Sequence, residues 1–222
     1  GIDCQMRSSG KYQAAVEKRG VAVLEAYKGG LDKLEQPYTM IDGQDLPEHI
    51  GTSFYRKALF TPGTVLVQPA ALVKGLADSL PANVSLYENT PITEFEYGEK
   101  VTLKHTQGSI VADKLVLANN AFGMHFGFLK RTMLPVFLYA SLTRPMTEEE
   151  QKQLGGQEFW GVIPAEPFGS TVRRTHDNRI LIRNSFSFNP NGRPKPNCLK
   201  HSLQRHKLSF ERRFPMLPDV GF

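Results

Sequence analysis

The sequence predicts a mixed fold, α+β with an α/β piece inside it, built as two interleaved parts. Three observations carry this. Residues 63–126 read as a compact α/β unit, with one helix, turn-punctuated strands and an apolar run that ends in small and amide residues. Residues 127–222 read as long, aromatic, antiparallel strands followed by a basic helix. Residues 1–62 read as strands around a helix of the same mixed kind. The expected division is therefore a mixed domain in two pieces, 1–62 and 127–222, around an α/β segment at 63–126.

The elements follow from local chemistry. Ser8, Ser9 and Gly10 are turn residues before a strand. Residues 16–34 suit a helix with Val23, Leu24, Tyr27 and Leu31 on one face, weakened at its end by Gly29 and Gly30. A short strand, a turn at Asp42-Gly43 and a short helix with Leu46 and Ile50 come next, then a strand closed by Pro62-Gly63. Pro69 stands at a first helical position, where its missing N–H costs nothing, and Leu72, Val73, Leu76 and Leu80 form the face expected to be buried. Strands are expected between Asn89-Thr90-Pro91, Tyr97-Gly98 and Gln107-Gly108, and a buried strand over Ile110–Ala118. Met133–Leu142 alternates as a strand, and two strands flank the turn His176-Asp177-Asn178.

Composition bounds the function. With 222 residues and 40% hydrophobic content the chain can bury a core. The longest mainly apolar run is too short to span a membrane and contains Pro135. Cys4 and Cys198 form no C-x-x-C and read as free thiols of a cytoplasmic protein. The net charge of +5 is local: Arg193–Arg213 holds seven Lys/Arg against Glu211 alone. Leu199, Leu203, His206, Phe210 and Phe214 recur there at helical spacing, so the stretch reads as an amphipathic helix with a solvated basic face. No base-stacking aromatics interleave the charges, which argues against nucleic acid. The histidines lack metal-ligand spacing, and no metal site is expected.

No G-x-G-x-x-G and no G-x-x-x-x-G-K-[ST] occurs, although the run ending "LANNAFG" looks like a strand that delivers backbone to a nucleotide. The stretch "YRKALFTPGTVLVQPAALVKGLADSLPANVSLYENTPITEFE", then "VADKLVLANNAFG", "LPVFLYASLTRPM", "RRTHDNRILIR" and "RFPMLPDVGF", in that order and spacing, resembles the D-amino-acid-oxidase-like FAD-dependent oxidoreductases. That group includes glycine and sarcosine oxidases and gamma-glutamylputrescine oxidoreductases, and "LANNAF" most resembles the last branch. In that family the glycine fingerprint lies upstream of the matching region and a second flavin segment downstream. The resemblance therefore implies a central piece of an FAD-binding Rossmann-like domain, interleaved with a substrate domain that has a mixed, largely antiparallel sheet and flanking helices. It implies FAD in the complete enzyme, with weak or no FAD binding by this chain alone.

What the resemblance implies about residues is specific. The backbone of Ile92 would hold the adenine, and Ala118, Asn119 and Asn120 match the small-residue turn near the dinucleotide. Asn120 stands where many members have glycine. No catalytic triad is required, because the cofactor carries the hydride chemistry. Tyr139, Trp160, Arg173, Arg174 and Arg183 are the candidates for an amine or amino-acid substrate. An arginine there either anchors a carboxylate bidentately or pairs structurally at the surface. Two other readings stay open: a non-catalytic truncated remnant that self-associates through exposed apolar edges, or an α+β binding module whose basic helix meets anionic partners.

Overall fold

The computed structural model describes residues 1–129, 132–190 and 192–222. In chain order the elements are β1 (Arg7–Ser8), β2 (Lys11–Ala15), α1 (Lys18–Lys33), β3 (Thr39–Asp42), α2 (Leu46–Ile50), β4 (Lys57–Thr61), β5 (Val65–Leu66) and α3 (Pro69–Asp78). There follow β6 (Ile92–Tyr97), β7 (Val101–His105), β8 (Gly108–Ala112), a 3-10 helix (Asn120–Phe126), β9 (Val136–Leu142), α4 (Glu148–Leu154), β10 (Trp160–Pro164), β11 (Thr171–Arg174), β12 (Ile180–Phe188) and α5 (Cys198–Arg213). The chain divides into two units, one of residues 1–75, 138–186 and 196–222, the other of residues 76–137 and 187–195.

The first unit is organised by a seven-stranded mixed sheet in the order β3-β4-β2-β10-β11-β12-β9. β2 runs parallel to β10, while the pairs β3–β4, β4–β2, β10–β11 and β11–β12 are antiparallel. Side chains alternate across the sheet, so each face has its own partners. One face carries Tyr12, Ala14, Trp160, Val162, Val172, Ile180 and Ile182 into the main core, with Phe210 of α5 and, just beyond it, Phe214 and Leu217. On the other face, Leu59 packs with Leu24 and Leu31 of α1. Leu24 and Leu31 keep the helical spacing read from the sequence, while Val23 is exposed. Gly51 ends α2 at φ +71, and a Cβ there would come 2.5 Å from the Leu154 carbonyl oxygen, so both conformation and space demand glycine.

Four local expectations are corrected. Residues 159–188 form three strands, since Glu166–Gly169 turns the chain between β10 and β11. The inner face of α5 consists of Ser202, His206, Ser209, Phe210 and Arg213, whereas Leu199 and Leu203 face solvent. Its buried side is polar because partners wait there: Ser141 Oγ lies 2.7 Å from His206 Nδ1, and Arg213 Nε donates to the Tyr55 hydroxyl at 2.9 Å. In the second unit, β6, β7 and β8 make a three-stranded antiparallel sheet. The expected strand over 110–118 stops at Ala112, and Leu115–Ala118 pairs with no strand among the described residues; Val116 is 86% exposed. Val73, Leu76 and Leu80 of the α3 region are likewise exposed, and α3 buries no residue among the described ones.

Cys4 and Cys198 are both free. No helix among the described residues is long and apolar enough to cross a membrane.

Helix α4 has a pH-sensitive start. Thr147 Oγ1 accepts from the Glu150 amide at 3.2 Å and Glu150 Oε2 accepts from the Thr147 amide at 2.8 Å, a capping box. Arg144 adds a two-pronged clamp, Nη1 to Oε2 at 2.8 Å and Nη2 to Oε1 at 2.6 Å. The Arg144 guanidinium, and after it the Thr147 amide, hold the Glu150 carboxyl at about 2 against an ordinary 4.5. A depressed folded pKa stabilises above the unfolded value and is lost as pH falls through the folded one. Hydrogen exchange of the α4 amides is therefore expected to quicken as pH drops from about 4.5 to about 2 (after correction for intrinsic exchange). Glu150→Gln should remove that dependence. Protection unchanged across this window in the wild type would refute the role of the clamp.

Candidate functional site

The site of interest lies on the sheet face away from α5. Direct opposition in the β11–β12 ladder places Thr171 with Arg183 and Arg173 with Leu181 on this face, and Val172 with Ile182 and Arg174 with Ile180 on the other. Gly161, opposite Arg173, belongs to the first set. A Cβ on Gly161 would sit 3.5 Å from Leu66 Cδ2, so the two-stranded ribbon β1–β5 lies close over the sheet at this point. Between ribbon and sheet is a cavity of about 340 Å³, walled by Leu66, Leu142, Phe159 and Leu181 and carrying Gln5, Arg7, Gln68, Arg173 and His176 as polar groups. A cleft of this size with apolar walls and a few convergent polar groups suits a small organic molecule.

Its electrostatics favour an anion. Arg173 is half-buried, and its one hydrogen bond among the described residues, Nη1 to the Val67 carbonyl, is 3.5 Å long. Burial first, and then the charge of Arg183, push its pKa down, the signature of a cation without a counter-ion. Arg7 stacks on Phe159 at 5.6 Å, and Phe159 in turn lies parallel to His176 at 5.7 Å. The one acid of the lining, Asp177, is already engaged by Arg179 Nε at 2.8 Å and the Thr175 hydroxyl at 2.6 Å.

The five substrate candidates separate clearly. Arg173 faces the cavity, and Arg183 stands beside it on the same sheet face with Nη2 on Thr171 Oγ1 at 3.2 Å. Arg174 reaches the cavity edge, but its guanidinium is occupied by the carbonyls of Gly155 and Gln157 and the side chains of Gln151 and Asn178. Trp160 is 0% exposed in the main core, against Phe214, on the α5 side. Tyr139 is buried and shares strand parity with Ser141, which bonds His206 of α5. Neither aromatic residue belongs to the cavity: a strand exposes alternate residues to opposite faces, and the sequence alone does not say which face is which. Gln5, Arg7, Gln68, Phe159 and His176 were not read as site residues from the sequence, His176 being read only as part of a turn. β1 and β5 are two residues each, too short for any periodicity, so the only available signal was the pair of turns that bracket them.

In the second unit, Ile92 opens β6, an edge strand with a register shift between Ile92 and Glu94. An edge strand keeps a row of unpaired backbone N–H and C=O groups. Ala118, Asn119 and Asn120 follow β8, the opposite edge strand, through the unpaired stretch that begins at Asp113. Asn120 adopts φ +54, a left-handed conformation that Asn tolerates and glycine adopts freely. The Oδ1 of Asn119 is buried with no hydrogen-bond partner among the described residues.

The whole chain matches one family model: FAD dependent oxidoreductase (DAO), over residues 1–221. The chain belongs to this family. A curated relative, "Probable oxidoreductase OrdL" of Rhizobium meliloti (strain 1021), is 31% identical over 86 residues, which are 38% of this chain and 20% of that protein. The crystal structure of glycine oxidase from Geobacillus kaustophilus superposes on 100% of this chain with a TM-score of 0.73 and 18% identity, covering 58% of its own length. L-proline dehydrogenase from P. horikoshii superposes on 99% of this chain with a TM-score of 0.76 and 16% identity, covering 59% of its own length. The chain thus spans less than two thirds of these proteins, and at such identity the structures establish the shared fold.

FAD is the cofactor of this family, and the residues in hand fit it. The edge backbone at Ile92 can pair with a heterocycle rim, the left-handed Asn120 lets backbone approach a ligand closely, and Asn119 holds a buried acceptor that finds no donor among the described residues.

Proposed function

We propose that the complete protein oxidises the C–N bond of an amino acid, with residues 63–126 contributing to FAD binding and residues 1–62 and 127–222 forming the substrate domain. The observation that supports the reading most is the half-buried Arg173, which forms no ion pair among the described residues, in a cavity with apolar walls of a chain whose residues 1–221 match the family. Bound FAD supplies the hydride acceptor. The chain's own residues do the rest. Arg173 holds the substrate carboxylate as a paired charge, with Arg7 and Arg183 adding positive potential; Leu66, Leu142 and Leu181 exclude water from the reacting carbon. Ile92, Ala118, Asn119 and Asn120 hold the cofactor through backbone and amide groups. Oxidase and dehydrogenase names among structures of the same fold agree with this chemistry. On this reading the exposed apolar side chains around α3 and Val116 are covered by the remainder of the family's flavin domain.

The test is anaerobic reduction. The flavin-loaded complete protein should lose its oxidised flavin absorption when a suitable α-amino or N-alkyl amino acid is added, and much more slowly with an amine lacking a carboxylate. A flavin that stays oxidised with every amino acid of a broad panel, yet is bleached by dithionite, would overturn the proposal.

A further inference from the structure

A second basic cleft lies on the opposite, α5 side of the sheet. Its volume is about 540 Å³, and no acidic side chain lines it. Arg205, Ser209, Arg212 and Arg213 recur at i, i+4, i+7 and i+8 of α5, so helical geometry alone puts them on one stripe. Arg213 is 7% exposed and forms no ion pair among the described residues. It is held by neutral groups: Nε donates to the Tyr55 hydroxyl at 2.9 Å, Nη1 to the Ser209 carbonyl at 2.9 Å and to Ser209 Oγ at 2.6 Å, and its plane stacks on Phe54 at 4.3 Å. The C-terminal end of α5 favours cations in its last turn, but a helix end acts as only about half a charge. A buried guanidinium beside two more calls for a full counter-charge.

The rest of the cleft floor has donors to spare. Ser185 Oγ donates to Asn184 Oδ1 at 2.9 Å, and Asn184 Nδ2 donates to Ser170 Oγ at 2.9 Å. Ser170 Oγ and Ser209 Oγ lie 3.2 Å apart. Each of these two hydroxyls already accepts one bond, from Asn184 and from Arg213, and they share one hydrogen between them, so one O–H is left to donate outward. Ser185 holds its place at φ +62, a strained conformation for a residue with a Cβ. The rim is apolar: Phe168 is 80% exposed and meets Phe186 edge-on at 5.3 Å.

We propose that this cleft is a binding site for an organic phosphate with an aromatic or apolar body. Arg205, Arg212 and Arg213 offer more positive charge than one carboxylate can neutralise, a match for a dianionic phosphate. The surplus hydroxyl takes a further phosphate oxygen, and Phe168 and Phe186 receive the attached ring. The cleft lies across the sheet from Arg173, so occupancy there does not compete for the substrate cavity.

Phenyl phosphate is the probe, titrated by calorimetry into the flavin-loaded complete protein at constant ionic strength. One equivalent should bind, with inorganic phosphate weaker, and benzoate and phenol at least about tenfold weaker, since each lacks charge-assisted bonds. Arg205→Gln/Arg212→Gln changes only exposed side chains. It should leave the melting temperature in place and weaken phenyl phosphate about tenfold or more. Ser170→Ala should weaken it several-fold, and Arg173→Met should not affect it. No saturable binding at millimolar probe, benzoate binding as well as phenyl phosphate, an unchanged affinity in the double arginine variant, or loss of binding on Arg173→Met would each overturn the proposal.

Discussion

Replacing Arg173 with methionine in the complete enzyme is expected to raise KM for an amino-acid substrate thirtyfold or more. The reasoning is electrostatic. Arg173 sits half-buried, its sole hydrogen-bond partner among the described residues is a carbonyl at 3.5 Å, and Arg183 adds like charge beside it. A carboxylate entering the cavity supplies the missing counter-ion, and truncating one member of such a buried pair costs about 2–5 kcal/mol. Methionine keeps much of the stem, so packing against the ribbon changes little. An amine that lacks the carboxylate should be affected far less. Arg174→Met gives the contrast: its guanidinium bonds two carbonyls and two side chains, so that variant should lose stability while the surviving folded enzyme keeps its KM. Equal losses on both substrates for Arg173→Met would assign it a structural role. No loss at all would move the anchor to another segment.

Much of the architecture was legible because it follows from local rules. Pro69 at the head of α3, the turns at Tyr97-Gly98 and Gln107-Gly108, and Leu24 and Leu31 on the buried side of α1 all stand where period and turn chemistry put them. What local rules missed depends on distant partners. On the buried side of α5, His206 and Phe210 stand where the helical spacing put them, but Ser202, Ser209 and Arg213 lie beside them, which no hydrophobic pattern marks; that side becomes intelligible only once Ser141 and Tyr55 are seen opposite. The apolar stripes at Val73, Leu76, Leu80 and Val116 were expected to be buried by their composition alone, but burial needs a second surface. The site shows the same limit. The arginine hairpin stands out in the sequence, yet the direction of Arg173 against Arg174 is a matter of strand parity, fixed by which face the ribbon β1–β5 covers.

Trp160 tests that parity with the largest expected effect on stability. As the single tryptophan, before a glycine and at a strand start, it had the look of a substrate-contacting residue; in the fold it is a core residue, 0% exposed. The register explains why: Trp160 opposes Arg174, Gly161 opposes Arg173, and only the second pair faces the cavity. Its ring packs against Phe214 at 6.2 Å in the core that joins the sheet to the segment after α5. Trp160→Ala removes a large side chain from a closed site and should cost about 3–5 kcal/mol. For a chain of this size that is roughly 6–20 °C in melting temperature. The indole Nε1 is buried without a partner among the described residues, a group that itself costs about 1–3 kcal/mol. Trp160→Phe removes that orphan donor together with part of the volume, so the two terms oppose and the loss should be far smaller than for alanine. Thermal melts of both variants check the order Ala far below Phe. Kinetics on the folded enzyme check the face: KM for the amino acid should stay within a few-fold of wild type in Trp160→Phe. A phenylalanine variant that melts normally but loses substrate affinity would turn β10 over and return Trp160 to the cavity.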